Sequence, residues 1–345
     1  MSETDVKRID LALQGGGSHG AVTWGVIDRL LEDKRITVDS ISGTSAGAVN
    51  AAALAYGLHL GGNEGGRKKL AALWEAIIEV GAIWSPVKPS PVEAAFGDFG
   101  ASFTYQMFDY VTRTFSPYQF NPFDFNPLKT VLERVIDFDE LRSCRTYNLF
   151  LTATNVRTGK VKIFDTANAT IDAVLASACL PTLFKAVEID GAHYWDGGYL
   201  GNPALFPFFY RSGAQDIVIV HVNPLRREEL PTSSDDILNR INEISFNSAL
   251  LGELRAIGFV KKLLEDGWIK DEYRDRLRNI RIHSIRSDAA LEKFSVASKL
   301  NVERKFIEGL KEGGRAIAEA WLNKNFWRIG ETSSVDIRKL YDGSA

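Results

Sequence analysis

A serine between glycines at a strand-to-helix junction is a candidate nucleophile, and Gly43-Thr44-Ser45-Ala46-Gly47 fits that G-x-S-x-G pattern. Such a junction strains the backbone at the serine, and Gly43 and Gly47 remove Cβ atoms that would clash with the adjoining strand and helix. Ala46, Ala48, Ala51, Ala52 and Ala53 let the following helix lie close on a sheet. Its N-terminus aims N–H groups and a partial positive charge at Ser45, which favours an alkoxide or a developing oxyanion. Taken alone, the same five residues also fit a glycine turn with an incidental serine.

A second glycine cluster, Gly15-Gly16-Gly17-Ser18-His19-Gly20, lies upstream and matches G-x-G-x-x-G. Dinucleotide binding therefore competes with an oxyanion hole. The dinucleotide reading needs an acid at the carboxyl end of the second strand, whereas Asp39 precedes the run Ser40 to Ser42 and falls at the wrong end of the sheet. If the first two strands are neighbours, the loop lies beside Ser45. The N–H groups of Gly15, Gly16, Gly17 and Ser18 are then candidate oxyanion donors.

A serine nucleophile needs a base. Asp196, in Trp195-Asp196-Gly197-Gly198, ends a strand whose tip projects its carboxylate while Gly197 and Gly198 turn the chain away. The same residues also fit an ordinary Asp-Gly turn. The five histidines offer little competition. His59 falls about four turns beyond Ser45 on the same helix, His193 opposes Glu188 across a hairpin, and His283 shares a face with Arg281 and reads as solvated. His221, at the end of a buried strand, stays as a candidate third member of a Ser-Asp-His triad. Neither Cys144 nor Cys179 has a partner at metal-ligand spacing, so no metal and no cofactor is expected.

The elements that must hold these residues follow from periodicity. Ile9 to Leu13 reads as a strand, and Val22, Val26, Ile27, Leu30 and Leu31 recur as on a helix. Val38 to Ser42 is a second strand and a helix covers about Ala46 to Leu60, with helical spacing again over Arg67 to Val80. This β-α-β-α alternation implies a parallel sheet with helices on its faces. Leu128 to Ile136 and Ile171 to Ala178 are helical, and Leu149 to Thr154 and Val161 to Phe164 are strands joined through Thr158-Gly159. Val187 to Ile189 and Ala192 to Trp195 flank Asp190-Gly191, a strong hairpin signal. Ile217 to Val222 is a buried strand. The region after Pro231 is mainly helical apart from Ile280 to Ile285. Between Pro86 and Pro127 the chain is aromatic without a period, including Phe96, Phe99, Phe103, Tyr105, Phe108, Tyr110, Phe115, Tyr118, Phe123 and Phe125. It reads either as a satellite core or as an apolar entrance over a site.

The 345 residues are 45% hydrophobic and 25% charged, which excludes disorder and disulfide scaffolds. A net charge of −3 and a pI near 6.0 give no field that would recruit nucleic acid. The clusters Arg67-Lys68-Lys69 and Arg274, Arg276, Arg278 are interspersed with acids and read as solvated helix faces. Met1 to Arg8 is polar, and no apolar window reaches the length of a membrane span. A cytoplasmic location is expected, with peripheral contact at a membrane or lipid body, or export without a cleaved signal, also compatible.

The combination Gly15-Gly16-Gly17-Ser18-His19-Gly20, Gly43-Thr44-Ser45-Ala46-Gly47 and Asp196-Gly197-Gly198 resembles the patatin-like phospholipase family. The resemblance spans about Ile9 to Pro203. It implies a three-layer α/β/α fold with a mostly parallel sheet and a Ser-Asp dyad without histidine. Ser45 would be the nucleophile, Asp196 the base, and Gly15 to Ser18 the oxyanion hole of a lipid acyl hydrolase. The family usually carries Arg or Lys where this chain has His19, which makes neutral esters more plausible substrates. The implied partner is a lipid or ester presented at a membrane, droplet or granule surface. One hydrolase domain over residues 1–325 follows, with a motif-bearing core at 9–205, an aromatic cap at 86–127, a helical region at 231–325 and a tail at 326–345. An ordinary α/β-hydrolase using His221, a non-catalytic lipid-binding protein and a dinucleotide-dependent oxidoreductase are the alternatives.

Overall fold

A computed structural model of the chain describes residues 6–85, 103–270, 272, 277–292, 294 and 296–341. In it, β1 (Lys7–Leu13) leads through the glycine loop into α1 (Gly20–Glu32), and β2 (Ile36–Gly43) returns beside β1 in parallel, with Leu13 opposite Gly43. The loop after β1 and the turn after β2 thus open at the same sheet edge.

The next helix, α2 (Ala46–Trp84), covers both predicted helical stretches as one element broken at Gly61 and Gly62. Gly62 takes φ 57°, a left-handed conformation that glycine adopts without penalty. The second arm folds back on the first so closely that a Cβ on Gly57 would strike the Gly65 backbone. This return brings Trp74, Ile77 and Val80 back toward Ser45.

Six further strands complete an eight-stranded sheet: β3 (Asn148–Asn155), β4 (Val161–Asp165), β5 (Val187–Ile189), β6 (Ala192–Asp196), β7 (Asp216–His221) and β8 (Arg281–Arg286). The order is β5-β6-β3-β2-β1-β7-β8, with β4 paired to β3. Strands β3, β2, β1, β7 and β8 are parallel, and β4, β5 and β6 introduce antiparallel pairs. Alternation along the central strands divides the core. Ile9, Leu11 and Leu13 of β1, with Val218 and Val220 of β7, face the layer containing α1 and α2. Ala12, Ile217 and Ile219 face the opposite layer, built on the long helix Ser234–Glu265. Helix, sheet and helix make the three-layer α/β/α architecture that the resemblance implies, with helices on the sheet faces as the alternation predicts.

The C-terminal third is mainly helical, as expected, and its helix Arg304–Asn325 packs against α1. A Cβ on Gly25 would strike the Lys311 carbonyl, and one on Gly314 the Val22 carbonyl. His283 corrects its reading as solvated. It is buried, meets the Asp216 carboxylate at 2.9 Å and packs edge-on to Trp321, because the alternating face it shares with Arg281 is covered by that helix. Arg67 pairs with Asp28, Glu32 and Glu64. Of the aromatic segment, residues 86–102 lie outside the described residues, as do Arg274 and Arg276. From 103 onward it forms the helices Phe103–Thr114 and Pro117–Phe120.

Candidate active site

Ser45 stands between β2 and α2 with φ 57° and ψ −127°, the strained geometry that a strand–turn–helix junction demands. The strain is held from both sides. Thr44 N–H donates to the Leu13 carbonyl at 3.3 Å, Ser45 N–H donates to Ser177 Oγ at 3.0 Å, and the Ser45 carbonyl accepts from Ala48 and Val49. A Cβ on Gly47 would strike the Leu13 carbonyl, and one on Gly43 the Gly47 carbonyl, so both glycines are needed for α2 to start this close to β1. The Ser45 side chain remains partly exposed.

The register of β3 explains how Asp196 comes to the same place. Strand β4 occupies one edge of β3 along Phe150–Thr154, so β2 and β6 must share the other. Strand β2 runs up that edge and ends with Gly43 opposite Leu151. Strand β6 runs down it and ends with Asp196 opposite Ala153. The two strands meet tip to tip, about 7 Å apart along β3, and each delivers its last residues into the gap.

Asp196 is fully buried. Its Oδ1 accepts the Gly198 N–H at 2.7 Å, while Oδ2 has no hydrogen-bond partner. A Cβ on Gly197 would strike the Thr152 carbonyl, so this turn also needs its glycine. Burial lifts the Asp196 carboxyl from 3.8 to about 7, and the Gly198 N–H and the nearby Ser45 hydroxyl offset only part of that rise. A carboxyl at that value accepts and returns a proton near neutrality. Ser45 is thus near enough to act on the charge of Asp196 without closing a hydrogen bond to Oδ2.

The glycine loop packs directly on this pair. A Cβ on Gly15 would lie 2.5 Å from that of Ser45, and one on Gly20 3.0 Å from that of Ala46. Gly15 is pinned at both ends, its N–H donating to Asn202 Oδ1 at 2.8 Å and its carbonyl accepting from Asn223 Nδ2 at 2.6 Å. Gln14 ties the cradle together through Asn202, Asn247 and the N–H groups of Val222 and Asn223. Among the described residues no acceptor takes the N–H of Gly16 or Gly17, and Gly17 and Ser18 face the cavity at Ser45. His19 is buried, meets Ser298 Oγ at 2.7 Å and is pushed by burial down to about 3, so it is neutral.

That cavity, of about 310 Å³, is lined on its walls by apolar side chains, among them Val49, Trp74, Ile77, Val131, Leu180 and Phe184. Ser45 lies at its wall. Asn126, Pro127 and Leu128 also line it, and next to them Phe123 and Phe125 are exposed, with Phe123 94% accessible.

The other candidates are not brought to Ser45. His221 is buried with both ring nitrogens unpartnered and is held down to about 4 by burial, and no hydrogen bond links it to Ser45 or Asp196. His59 pairs with Glu140, and His193 faces Glu188 at 3.7 Å as its register requires. Asp39 is committed to Arg8, Ser212 and Gly213 near the amino end of β7, far from the glycine loop, which removes the acid that a dinucleotide site needs. Cys179 is buried, with its thiol pushed up to about 12. Among the described residues no group of three His, Cys, Asp or Glu is placed to hold a metal ion. None of their helices is long and apolar enough to cross a membrane.

Sequence reasoning missed Ser177, Asn202, Asn223 and Asn247. Only Asn202 left a trace, as the residue before Pro203 in a chain already turned by Gly197, Gly198 and Gly201.

A family model described as Patatin-like phospholipase matches residues 11–209. The chain belongs to the patatin-like phospholipase family. The matched span carries the glycine loop, Ser45 and Asp196, and lipid acyl hydrolysis is the chemistry of the family. No curated protein matches the chain significantly. Among solved structures, VipD from Legionella pneumophila is similar at 14% identity with a TM-score of 0.43, over 92% of this chain and 67% of that one. A chain from the complex of full-length SpcU with full-length ExoU, of the Pseudomonas aeruginosa type III secretion system, is similar at 13% identity with a TM-score of 0.32. That match covers 92% of this patatin-like chain and 53% of the other.

Proposed function

We propose that this patatin-like protein is a serine hydrolase of lipid carboxylic esters that works through a Ser45–Asp196 dyad. The observation that carries the reading is a buried carboxyl at about 7, one oxygen unpartnered, beside a strained serine at the wall of an apolar cavity. In the first step Asp196 Oδ2 takes the Ser45 proton as Oγ attacks the ester carbonyl. The tetrahedral oxyanion is met by N–H groups of the glycine loop. Gly15 N–H is committed to Asn202, so Gly16, Gly17 and Ser18 are the donors. The alcohol leaves with the proton held by Asp196, and the acyl group stays on Oγ. Water then attacks the acyl-enzyme with Asp196 again as base, releasing the carboxylic acid and restoring the serine.

The cavity holds the acyl chain, and the exposed aromatics beside its Asn126–Leu128 wall meet the surface of a membrane, droplet or granule. No metal or cofactor takes part in the proposed steps. Hydrolysis of phosphatidylcholine vesicles, an emulsified triacylglycerol and a soluble short-chain ester tests the reading. Wild type releases fatty acid from at least one lipid form, and Ser45→Ala and Asp196→Asn release it at least about 10⁴-fold more slowly. Equal activity in Ser45→Ala and wild type overturns it.

A further inference from the structure

We propose that Lys299 is a positioning residue that holds the glycine loop in register for the oxyanion, an inference that rests on the serine hydrolase reading above. Lys299 comes from the C-terminal third, outside the span that matches the family model. Residues 297–300 lie across the loop as a strap. A Cβ on Gly17 would strike the Lys299 carbonyl, and Gly17 takes φ 59°, so the strap reaches this position only because residue 17 is glycine. One residue earlier, Ser298 holds the His19 ring at 2.7 Å. Tyr105 and Phe108 pack on Ala297.

The side chain of Lys299 continues the same contact. Its Nζ donates to Asn223 Oδ1 at 3.5 Å, and Asn223 Nδ2 donates to the Gly15 carbonyl at 2.6 Å. Gly15 N–H in turn donates to Asn202. The Gly15 carbonyl shares its peptide group with the Gly16 N–H, so Lys299 Nζ, the Asn223 carboxamide and that peptide form one chain in which each group polarises the next, while the Asn202 bond anchors the preceding peptide. An ammonium has no acceptor, so it forces the oxygen of Asn223 toward itself and the nitrogen toward the loop. Reversed, that amide would set an oxygen against the Gly15 carbonyl. Because Gly15 touches Ser45, a shift of Gly15 is a shift of the oxyanion donors that follow it.

Lys299 is also the basic side chain that the loop itself lacks. His19 is buried and neutral, whereas Lys299 lines the cavity with Gly17, Ser18 and Ser45. On its other side it borders a small cavity with His19, Arg227 and Glu243. Burial, and to a lesser degree Arg227, hold the Lys299 ammonium below its ordinary value, and Glu243, buried and paired with Arg227 and Arg240, offsets part of that. The hydrogen bond of Lys299 Nζ is the one to Asn223 Oδ1.

The test is steady-state hydrolysis of the best ester by Lys299→Met, Lys299→Arg, Asn223→Ser and the Lys299→Met/Asn223→Ser double variant, with folding followed by thermal unfolding. A positioning role predicts that Lys299→Met lowers kcat by about 10- to 100-fold, less than the loss of an oxyanion donor itself, and leaves KM within about 3-fold of wild type. Lys299→Arg restores most of kcat. The double variant is at most a few-fold slower than the slower single variant, since both break one chain. Should Lys299→Met not fold, Asn223→Ser carries the test, because it leaves the lysine in place. Folded Lys299→Met or Asn223→Ser with kcat within about 2-fold of wild type overturns the proposal, as does a loss confined to KM. Ser45→Ala is run in parallel. If it is fully active, the hydrolase reading fails first and takes this inference with it.

Discussion

Gly15 and Ser45 are in contact across two different loops, and a Cβ on Gly15 would lie 2.5 Å from the Cβ of Ser45. The same Cβ would lie 2.8 Å from the Thr44 carbonyl. The loop before α1 and the turn before α2 are therefore one packed unit, and neither moves without the other. Gly15→Ala must push them apart. It is expected to lower kcat by at least about 100-fold, on the scale of losing an oxyanion donor, in a protein that still unfolds cooperatively. Wild-type kcat in that variant would separate the loop from the reaction.

Asp196 predicts a pH dependence of both rate and stability. As a base it must be ionised, so kcat/KM rises with pH through about 7 and then levels. Stability runs the other way. Between 4 and 7 the folded state holds a proton that the unfolded chain has released, so the carboxyl weakens the fold as pH rises and its full penalty is reached above about 7. At roughly 1.4 kcal/mol per pKa unit the penalty reaches a few kcal/mol. Asp196→Asn removes it. The variant should be inactive yet melt several degrees above wild type at pH 8, with the gap closing toward pH 4.5. The comparison with wild type is needed because buried Asp10 and half-buried Glu253 are also lifted to about 7. A gap that is constant across that range would contradict the assignment.

The proposed dyad needs no histidine, and His221 is the residue that tests this. It is buried near β8, with neither nitrogen bonded. Replacement by Asn is expected to leave kcat within about 3-fold of wild type, whereas loss of a triad base would cost on the order of 10⁴ or more. A fall of that size in folded His221→Asn would restore the triad.

Phe123 and Phe125 stand exposed beside Asn126, which lines the cavity. A role at a lipid surface predicts that Phe123→Ser/Phe125→Ser weakens sedimentation with vesicles and slows hydrolysis of vesicle substrate by about 10-fold, the scale of one or two lost apolar contacts. Hydrolysis of a soluble short-chain ester should stay within 2-fold or so. Equal losses on both substrates would place these residues in the reaction rather than at the interface.

How much of this was legible in the sequence depends on how local each signal is. The run from β1 through the glycine loop, α1, β2 and the Ser45 turn could be read directly, because strand, glycines and helical spacing follow one another within about fifty residues. Asp190-Gly191 revealed the hairpin that ends in Asp196. What stayed hidden is carried by single polar residues with no period. Ser177, Asn202, Asn223 and Lys299 come from four separate segments, and only the folded sheet edge assembles them. The same limit explains His283. Its alternation with Ile282 is real, but alternation identifies two faces and does not say that a helix covers both. The break at Gly61-Gly62 was legible as the gap between the helical stretches Ala46 to Leu60 and Arg67 to Val80, but glycines mark a bend without giving its direction.

The most direct test of the central claim is intact mass after treating wild type, Ser45→Ala and Asp196→Asn with a fluorophosphonate probe, which needs no knowledge of the substrate. The account predicts a single adduct on wild type, none on Ser45→Ala, and labelling of Asp196→Asn slowed by orders of magnitude. An adduct of equal yield on Ser45→Ala would contradict it, as would wild-type labelling kinetics in Asp196→Asn.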